Sequence, residues 1–269
     1  MHVHSQSSHD STASVLETAR LCAERGILGF AVTDHCDIQY YDESITLNSV
    51  KGSLDEVTEA QALCPQVKIL KGIEVGEGIW DKEHTDKILN SFDFDVVIGS
   101  VHAVRYKCYT DPYSTIDFSK MTSGELDEFL TVYFDDVLEM VQTYDCDILA
   151  HLTCPLRYIV GKYKRKADAQ KYKEQIVKIL ECIIERDISL EINTSGIGTF
   201  YGKLMPEEWV IRLYKELGGT LITLGSDAHV SNSVANGFEP AITLLTEIGY
   251  DGYYYYENRQ SVFVPFNKQ

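Results

Sequence analysis

Seven apolar segments along this chain each end in a histidine, a carboxylate or an asparagine. The segments read as buried parallel strands, and 28 to 49 residues separate their polar ends, which is enough for a strand, a helix and two loops. These ends are His4, His35, Glu74, His102, His151, Asn193 and Asp227. Because the carboxyl ends of parallel strands meet on one face of a barrel, the pattern predicts an α/β barrel with these side chains gathered at that face.

The pattern along the chain alternates between strands and helices. The predicted strands cover residues 1–4, 27–35, 67–76, 94–102, 146–151, 188–193, 220–229 and 261–266. The predicted helices cover residues 12–26, 53–64, 124–144, 168–186, 206–217 and 234–248. Residues 36–50 and 103–122 are polar and irregular, which predicts loops. No linker or repeat interrupts residues 1–269, so we expect a single domain.

Length, charge and cysteine content narrow the class of protein. A chain of 269 residues suits one α/β barrel of typical size, about 250 residues. The net charge of -17 disfavours nucleic acid as the main partner, and no apolar run approaches the roughly 20 residues of a membrane helix. Seven cysteines without a Cys-x-x-Cys pair indicate free thiols in a reducing compartment. We therefore expect a cytoplasmic protein.

The first ten residues, MHVHSQSSHD, contain three histidines. On a strand, His2 and His4 point to the same face, and neutral imidazole suits Zn, Fe or Mn. Taken singly, a histidine after a strand is more often a structural residue, Glu74 could be a loop carboxylate, and Asp227 could cap a helix. Such an explanation would have to hold separately for nine residues, all at the same end of the strands. Because this is a poor explanation of the pattern, the sequence predicts a multinuclear metal site.

Six short motifs match a known family in their order along the chain. They are HVH at 2–4, TDH at 33–35, GIE at 72–74, SVH at 100–102, AH at 150–151 and SDAH at 226–229. This set resembles the polymerase and histidinol phosphatase (PHP) superfamily. The segments LEINTSG at 190–196 and YYYYENRQSVFVPF at 253–266 are similar to its histidinol-phosphate phosphatase branch.

The resemblance implies a distorted (β/α)7 TIM-like barrel with a trinuclear metal site at the C-terminal face, holding Zn, Mn or Fe. The implied ligands of the first metal are His2, His4, Glu74 and Asp227. The implied ligands of the second metal are Glu74, as a bridge, with His102 and His151. The implied ligands of the third metal are His9, His35 and His229. The chain has His9-Asp10 where the family often has Asp-Gly, which changes the third set.

The implied reaction is hydrolysis of a small phosphorylated substrate, L-histidinol phosphate. We expect activated water between the first two metals to attack phosphorus, with Asp227 as the acceptor of its proton. A metal-bound water or His229 is the candidate proton donor to the leaving oxygen. Two alternatives remain open at this point. The substrate could be a phosphotyrosine protein or a nucleic-acid end, or the chain could be a metal-binding regulatory protein without catalysis.

The substrate contacts are predicted from residue type and proximity to the strand ends. Arg157 and Arg105 follow His151 and His102 and could clamp phosphate, since a guanidinium matches phosphate geometry. The ammonium and imidazole of the substrate require acidic and aromatic partners. Candidates for these contacts are Tyr40, Asp42 and Glu43, with Asn193 lining the pocket. For Tyr40, Asp42 and Glu43 the alternative is that they belong to a polar surface loop, and for Asn193 it is a hydrogen bond to the backbone beyond the sixth strand.

Two further aspartates lie beside predicted ligands. Asp34 precedes His35, and Asp10 follows His9. Carboxylates in such positions often hold the ring of a metal-binding histidine in one tautomer. We expect this role for both, with a helix-capping role as the alternative for Asp10.

Overall fold

A computed structural model describes residues 1–266, and seven parallel strands form its main sheet. The strands are β1 Gly29–Val32, β2 His35–Asp37, β3 Lys68–Gly76, β4 Val96–Ser100, β5 Ile148–Leu149, β6 Ser189–Asn193 and β7 Ile222–Gly225. They pair in the order β1-β3-β4-β5-β6-β7, and β2 also pairs with β3. This curled parallel sheet with surrounding helices is the distorted TIM-like α/β fold expected from the sequence.

Eight α-helices connect and cover the strands within the described residues. They are α1 Val15–Arg25, α2 Glu43–Leu63, α3 Lys82–Ser91, α4 Ser123–Thr143, α5 Cys154–Leu156, α6 Lys173–Glu185, α7 Glu208–Glu216 and α8 Phe238–Ile248. The single turn of α5 continues into a π-helical segment, Arg157–Lys162. None of the helices in residues 1–266 is both long and apolar enough to cross a membrane.

Residues 1–4 join the two edges of the sheet. Val3 forms a parallel bridge with Ala228, and the amide of His4 donates to the Ala228 carbonyl at 2.9 Å. On the other side, the amide of Thr33 donates to the Val3 carbonyl at 2.8 Å. The predicted first strand is therefore an extended segment with a single β-bridge, because its few residues bond to the chain after β7 on one side and after β1 on the other. It still holds His2 and His4 at the carboxyl face.

The predicted strand 27–35 is divided in two. β1 ends at Val32, and β2 begins at His35, because the intervening Thr33 amide bonds to the N-terminal segment instead of to β3. The register nevertheless continues, with Val32 beside Lys71 and His35 beside Glu74. This pairing places an imidazole next to a buried carboxylate.

Helix α2 begins ten residues before the predicted start. Asp42 caps it, and its side chain accepts hydrogen bonds from the amides of Ser44 and Ile45. Residues 43–49 are mostly exposed, so the first two turns carry no apolar periodicity that would have indicated a helix. The prediction of an irregular segment over residues 36–50 was therefore wrong for its second half.

The end of the described chain forms an antiparallel hairpin, β8 Gly252–Glu257 with β9 Gln260–Pro265. It packs near the amino ends of the barrel strands, where Tyr256 shares a hydrogen bond with Ser189 at 2.8 Å and Glu257 pairs with Lys68 at 2.7 Å. The hairpin thus lies at the opposite end of the barrel from the predicted site and leaves the carboxyl face free.

Candidate metal centre

Glu74 lies at the centre of the cluster of polar side chains. It sits two residues before the end of β3 and is fully buried. Its Oε2 atom lies 3.2 Å from His2 Nε2, 3.6 Å from His4 Nε2 and 2.9 Å from His35 Nδ1. Three imidazoles from the first two segments of the barrel therefore face one carboxylate oxygen.

The second oxygen of Glu74 faces a different pair of imidazoles. Oε1 lies 3.2 Å from His102 Nε2 and 3.0 Å from His151 Nε2. His102 follows β4 and His151 follows β5, so neighbouring strands supply both rings. A carboxylate whose two oxygens face separate imidazole groups has the arrangement of a bridging ligand between two metal ions.

Asp227 completes the first group. It follows β7, and its Oδ1 lies 3.3 Å from His4 Nε2 and 3.9 Å from His2 Nε2. The structure therefore brings together the four side chains that the sequence assigned to the first metal. Imidazole and carboxylate oxygen are donors that suit Zn, Mn or Fe.

Unsatisfied buried atoms support a metal in this cluster. Glu74 Oε2 and His35 Nδ1 are both buried and approach to 2.9 Å, yet neither forms a hydrogen bond. His2 Nε2 and His4 Nε2 lie 3.1 Å apart and point toward the same carboxylate. Leaving such groups unpaired costs free energy, so the donors fit a shared cation better than they fit one another.

Four of the imidazoles are anchored through Nδ1, which leaves Nε2 directed at the cluster. The anchoring contacts are His2 with Glu191 at 2.7 Å, His4 with Ser8 at 3.1 Å, His102 with Asp37 at 3.0 Å and His229 with the Asp227 carbonyl at 3.0 Å. An imidazole that donates through Nδ1 keeps its Nε2 lone pair free for a metal. The protein thus selects the ligand tautomer in each case.

Electrostatics keep the central carboxylates ionised. Burial alone would raise the pKa of Glu74, but the imidazoles of His2, His102 and His35 hold it well below its usual range. Burial acts to lower the pKa of His35, but the carboxylates of Glu74 and Asp10 raise it to about 10. Metal ions must therefore displace protons from these imidazoles, so binding is expected to release protons.

The third predicted group has Asp10 as an additional close neighbour. Asp10 Oδ2 lies 3.2 Å from His229 Nε2, and Asp10 Oδ1 lies 3.6 Å from His35 Nε2. His9 and Asp10 are both exposed, and the ring centroid of His9 lies 5.6 Å from that of His35. Asp10, which the sequence assigned to orienting or capping, is thus placed between two of the predicted ligands. This geometry favours Asp10 over His9 in the third set.

Glu191 is a site residue that the sequence analysis did not identify. It is buried on β6, and its carboxylate accepts from His2 Nδ1 at 2.7 Å, from the His151 amide at 2.8 Å and from Asn193 Nδ2 at 3.1 Å. Gly225 on β7 makes room for it, because a Cβ there would lie 1.9 Å from Glu191 Oε1. The sequence feature that could have identified Glu191 is a carboxylate inside an apolar segment predicted to be a buried strand.

Asp37 has the corresponding role on the other side of the centre. Its Oδ1 accepts from His102 Nδ1, and a Cβ at Gly76 would lie 2.3 Å from that oxygen. Both carboxylates that anchor ligand histidines therefore lie over a strand glycine. Asp37 was not identified from the sequence because it lay in a segment predicted to be irregular.

Asp34 does not contact an imidazole, so its predicted role was wrong. Its carboxylate accepts from the Ser5 amide and hydroxyl, both at 2.6 Å, and from the hydroxyls of Ser8 at 2.7 Å and Ser53 at 2.5 Å. Asp34 therefore fixes the first loop of the chain, and it reaches His4 only through Ser8. The short loop brings serines, not the imidazole itself, to this carboxylate.

A cavity of about 690 Å³ opens onto the cluster. This volume is in the range of small-molecule sites. Arg157 and Tyr40, both predicted substrate contacts, line it together with His9, Asp10 and Asp227. Arg157 also donates to the Ser195 hydroxyl at 3.1 Å, which holds the guanidinium at the wall.

Two other predicted contacts are engaged elsewhere. The Arg105 guanidinium lies 4.3 Å from the centre of the Trp80 ring and does not line the cavity. Asn193 is buried, with its amide nitrogen donating to Glu191 and its oxygen accepting from the Ser195 hydroxyl at 2.7 Å. Their positions favour structural roles.

The acidic residues predicted to bind the amine also lie outside the cavity. Asp42 caps α2, and Glu43 pairs with Lys87 at 2.7 Å. Because α2 starts at Glu43, both carboxylates belong to a helix terminus and not to the loop that the sequence suggested. We omit both from the binding site proposed below.

The chain matches known proteins over most of its length. The family model described as the PHP domain matches residues 1–195. A probable histidinol-phosphatase from Clostridium acetobutylicum is 29% identical over 90% of this chain and 91% of its own length. The histidinol-phosphatase of Lactococcus lactis is 27% identical over 93% and 90%, respectively.

A solved structure has the same fold. It is histidinol phosphate phosphatase from Lactococcus lactis, complexed with zinc, L-histidinol and phosphate. Superposition gives a TM-score of 0.78, with 97% of each chain covered and 23% sequence identity.

Proposed function

The chain belongs to the PHP domain family, and from this premise we propose that it is a metal-dependent phosphomonoesterase that converts L-histidinol phosphate to L-histidinol and phosphate. Relatives named histidinol-phosphatase that align over 90% or more of the chain support this substrate. The observation that carries the proposal is Glu74, buried between two imidazole groups, of which His35, His102 and His151 line the cavity that also contains Arg157.

The residues present fit three divalent ions. The first set is His2, His4, Glu74 and Asp227; the second is Glu74, His102 and His151; the third is His35 and His229 with Asp10 or His9. Such ions lower the pKa of water from 15.7 to about 7 and neutralise phosphoryl oxygens. The protein holds these donors in place: Glu191, Asp37 and Ser8 anchor the imidazole rings of His2, His102 and His4, respectively.

Asp227 is the proposed acceptor of the proton from water. Asp227 lines the cavity, and its Oδ2 lies 3.3 Å from the Ser195 hydroxyl, whose shorter bond goes to Asn193. Burial acts to raise the pKa of Asp227, but His2, His4 and His229 hold it well below its usual range. The group is therefore a carboxylate at neutral pH and can accept a proton transiently.

His229 is retained as a ligand and not as the proton donor suggested by the sequence. Its Nδ1 lies 3.0 Å from the Asp227 carbonyl, and its Nε2 lies 3.2 Å from Asp10 Oδ2. An Nδ1–H that donates to this carbonyl leaves the Nε2 lone pair for a metal shared with Asp10, so the ring would offer no N–H to a leaving oxygen.

Arg157 is proposed to bind the phosphoryl group. Hydrogen bonds to charged groups contribute about 1.5–3 kcal/mol, so Arg157→Ala should lower kcat/KM for histidinol phosphate by roughly 10- to 100-fold. Steady-state kinetics on purified variants measure this. Arg105→Ala is the matched comparison: because that guanidinium stacks on Trp80, we expect a change of about twofold or less. Equal effects of the two substitutions would remove Arg157 from the phosphate site.

A substrate panel tests the proposed reaction. Phosphate release should be measured with Zn, Mn or Fe supplied, on histidinol phosphate, a phosphotyrosine peptide and an oligonucleotide carrying a terminal phosphate. We expect the highest kcat/KM with histidinol phosphate. A higher value for either of the other two substrates would change the substrate class. Absence of hydrolysis of every phosphomonoester would contradict the enzyme proposal and favour a regulatory role.

The proposed location is the cytoplasm. All seven cysteines are free thiols, and five of them are buried. Free thiols are the usual state of cysteine in a reducing compartment.

A further inference from the structure

Asp111 is a carboxylate at the cavity wall that the metal centre does not use. It lies in the loop after β4 and lines the cavity. The other carboxylates of the lining have partners, namely Asp10 with His229, Asp37 with His102 and Asp227 with His4. Within residues 1–266, Asp111 takes part in no hydrogen bond or ion pair, so its charge is available to a ligand.

The wall of the cavity is built by segments that follow several different strands. Asp111 follows β4 and Tyr40 follows β2, the two strands that flank β3 around Glu74. Arg157 follows β5, and its partner Ser195 follows β6. Because Arg157, Tyr40 and Asp111 line one cavity, a substrate whose phosphate faces Arg157 and the metal centre can place its other end beside Tyr40 and Asp111.

Tyr40 and Asp111 line the same cavity. Burial, followed by the carboxylates of Asp111 and Asp37, raises the pKa of Tyr40. Tyr40 is nevertheless 62% exposed, which is unusual for a large apolar side chain, and it lines the cavity. No Lys or Arg other than Arg157 lines the cavity in the described part of the chain.

We propose that Asp111 and Tyr40 form the subsite for the cationic part of the substrate. This inference rests on the proposed function and extends it by assigning the selectivity for a phosphomonoester that carries an ammonium or imidazolium group. Asp111 supplies a carboxylate to an N–H donor, and Tyr40 supplies an aromatic face. A phosphate ester without a cation gains nothing from either group.

The test compares a cationic with a non-cationic substrate. The measured quantity is the ratio of kcat/KM for histidinol phosphate to that for p-nitrophenyl phosphate. Asp111→Asn should lower this ratio about tenfold, since it removes a charge-assisted contact at a partly hydrated site. Asp111→Glu should retain most of the ratio. Tyr40→Ala should lower the ratio by a few-fold, and Tyr40→Phe should preserve it because the ring is kept.

Binding of L-histidinol, measured by calorimetry, tests the subsite without turnover. Asp111→Asn should weaken this binding about tenfold, whereas Glu59→Gln on the outer surface of α2 removes the same charge without weakening it. If Asp111→Asn and Tyr40→Ala both behave like the wild type in the ratio, and Asp111→Asn also binds histidinol like the wild type, the subsite proposal is overturned. If the wild type binds histidinol through Asp111 but hydrolyses no histidinol phosphate, the proposed function fails and the subsite stands.

Discussion

Replacement of Glu74 by glutamine is expected to lower kcat/KM for histidinol phosphate by roughly 10³-fold or more. Glutamine keeps the size of the side chain but has only one oxygen, so it cannot face both His2 and His102 as a carboxylate does. Loss of the bridge weakens two metal sites together, and metal ions contribute several kcal/mol to stabilising transition-state charge. Steady-state kinetics with saturating Zn or Mn measure the loss.

The control for this substitution is Glu207→Gln. Glu207 is also a buried carboxylate, but it accepts from Tyr201 and Lys203, outside the cluster. We expect Glu207→Gln to change stability more than activity. If Glu74→Gln retained activity within tenfold of the wild type, Glu74 would not be a bridging ligand.

The second large effect is expected from Gly225→Ala. The added methyl group would lie 1.9 Å from Glu191 Oε1 and 2.9 Å from His2 Cβ, so Glu191 must move. His2 then loses the partner that fixes its tautomer, and the His151 amide loses its acceptor. Disruption of such outer contacts typically costs 10- to 100-fold in metal affinity, and overpacking costs about 1–3 kcal/mol in the free energy of unfolding.

Competition with a chromophoric chelator measures the metal affinity, and thermal unfolding of the metal-free protein measures the stability. Gly52→Ala is the matched control, because nothing lies within 4 Å of its added methyl group on α2. That substitution should stabilise the protein by about 0.5–1 kcal/mol without weakening metal binding. Equal metal affinities for the two variants would mean that Glu191 does not position His2.

The strands and most of the metal ligands could be predicted because both rest on local patterns. An apolar run followed by a histidine or carboxylate identifies a strand end, and parallel strands bring their ends together. Glu74, His102 and His151 were assigned in this way, and the structure gathers them around one carboxylate. The distance between such residues along the chain does not matter once the alternation is recognised.

The anchoring contacts could not be predicted in the same way. Glu191 and His2 are 189 residues apart, and their contact depends on the space left by Gly225. The start of α2 was missed because its first turns are exposed, and this error misassigned Asp42 and Glu43. Whether His9 or Asp10 faces His35 depends on the path of a short loop, which side-chain alternation does not determine.

The metal content per chain tests the account most directly. Wild-type protein loaded with Zn or Mn and freed of excess ion should retain at least two metal ions per chain by mass spectrometric analysis. The Glu74→Gln variant should retain fewer, because the carboxylate that faces both imidazole groups is gone. A wild-type chain that retains one ion or none, or a variant with the same content as the wild type, would contradict the assignment of a metal centre around Glu74.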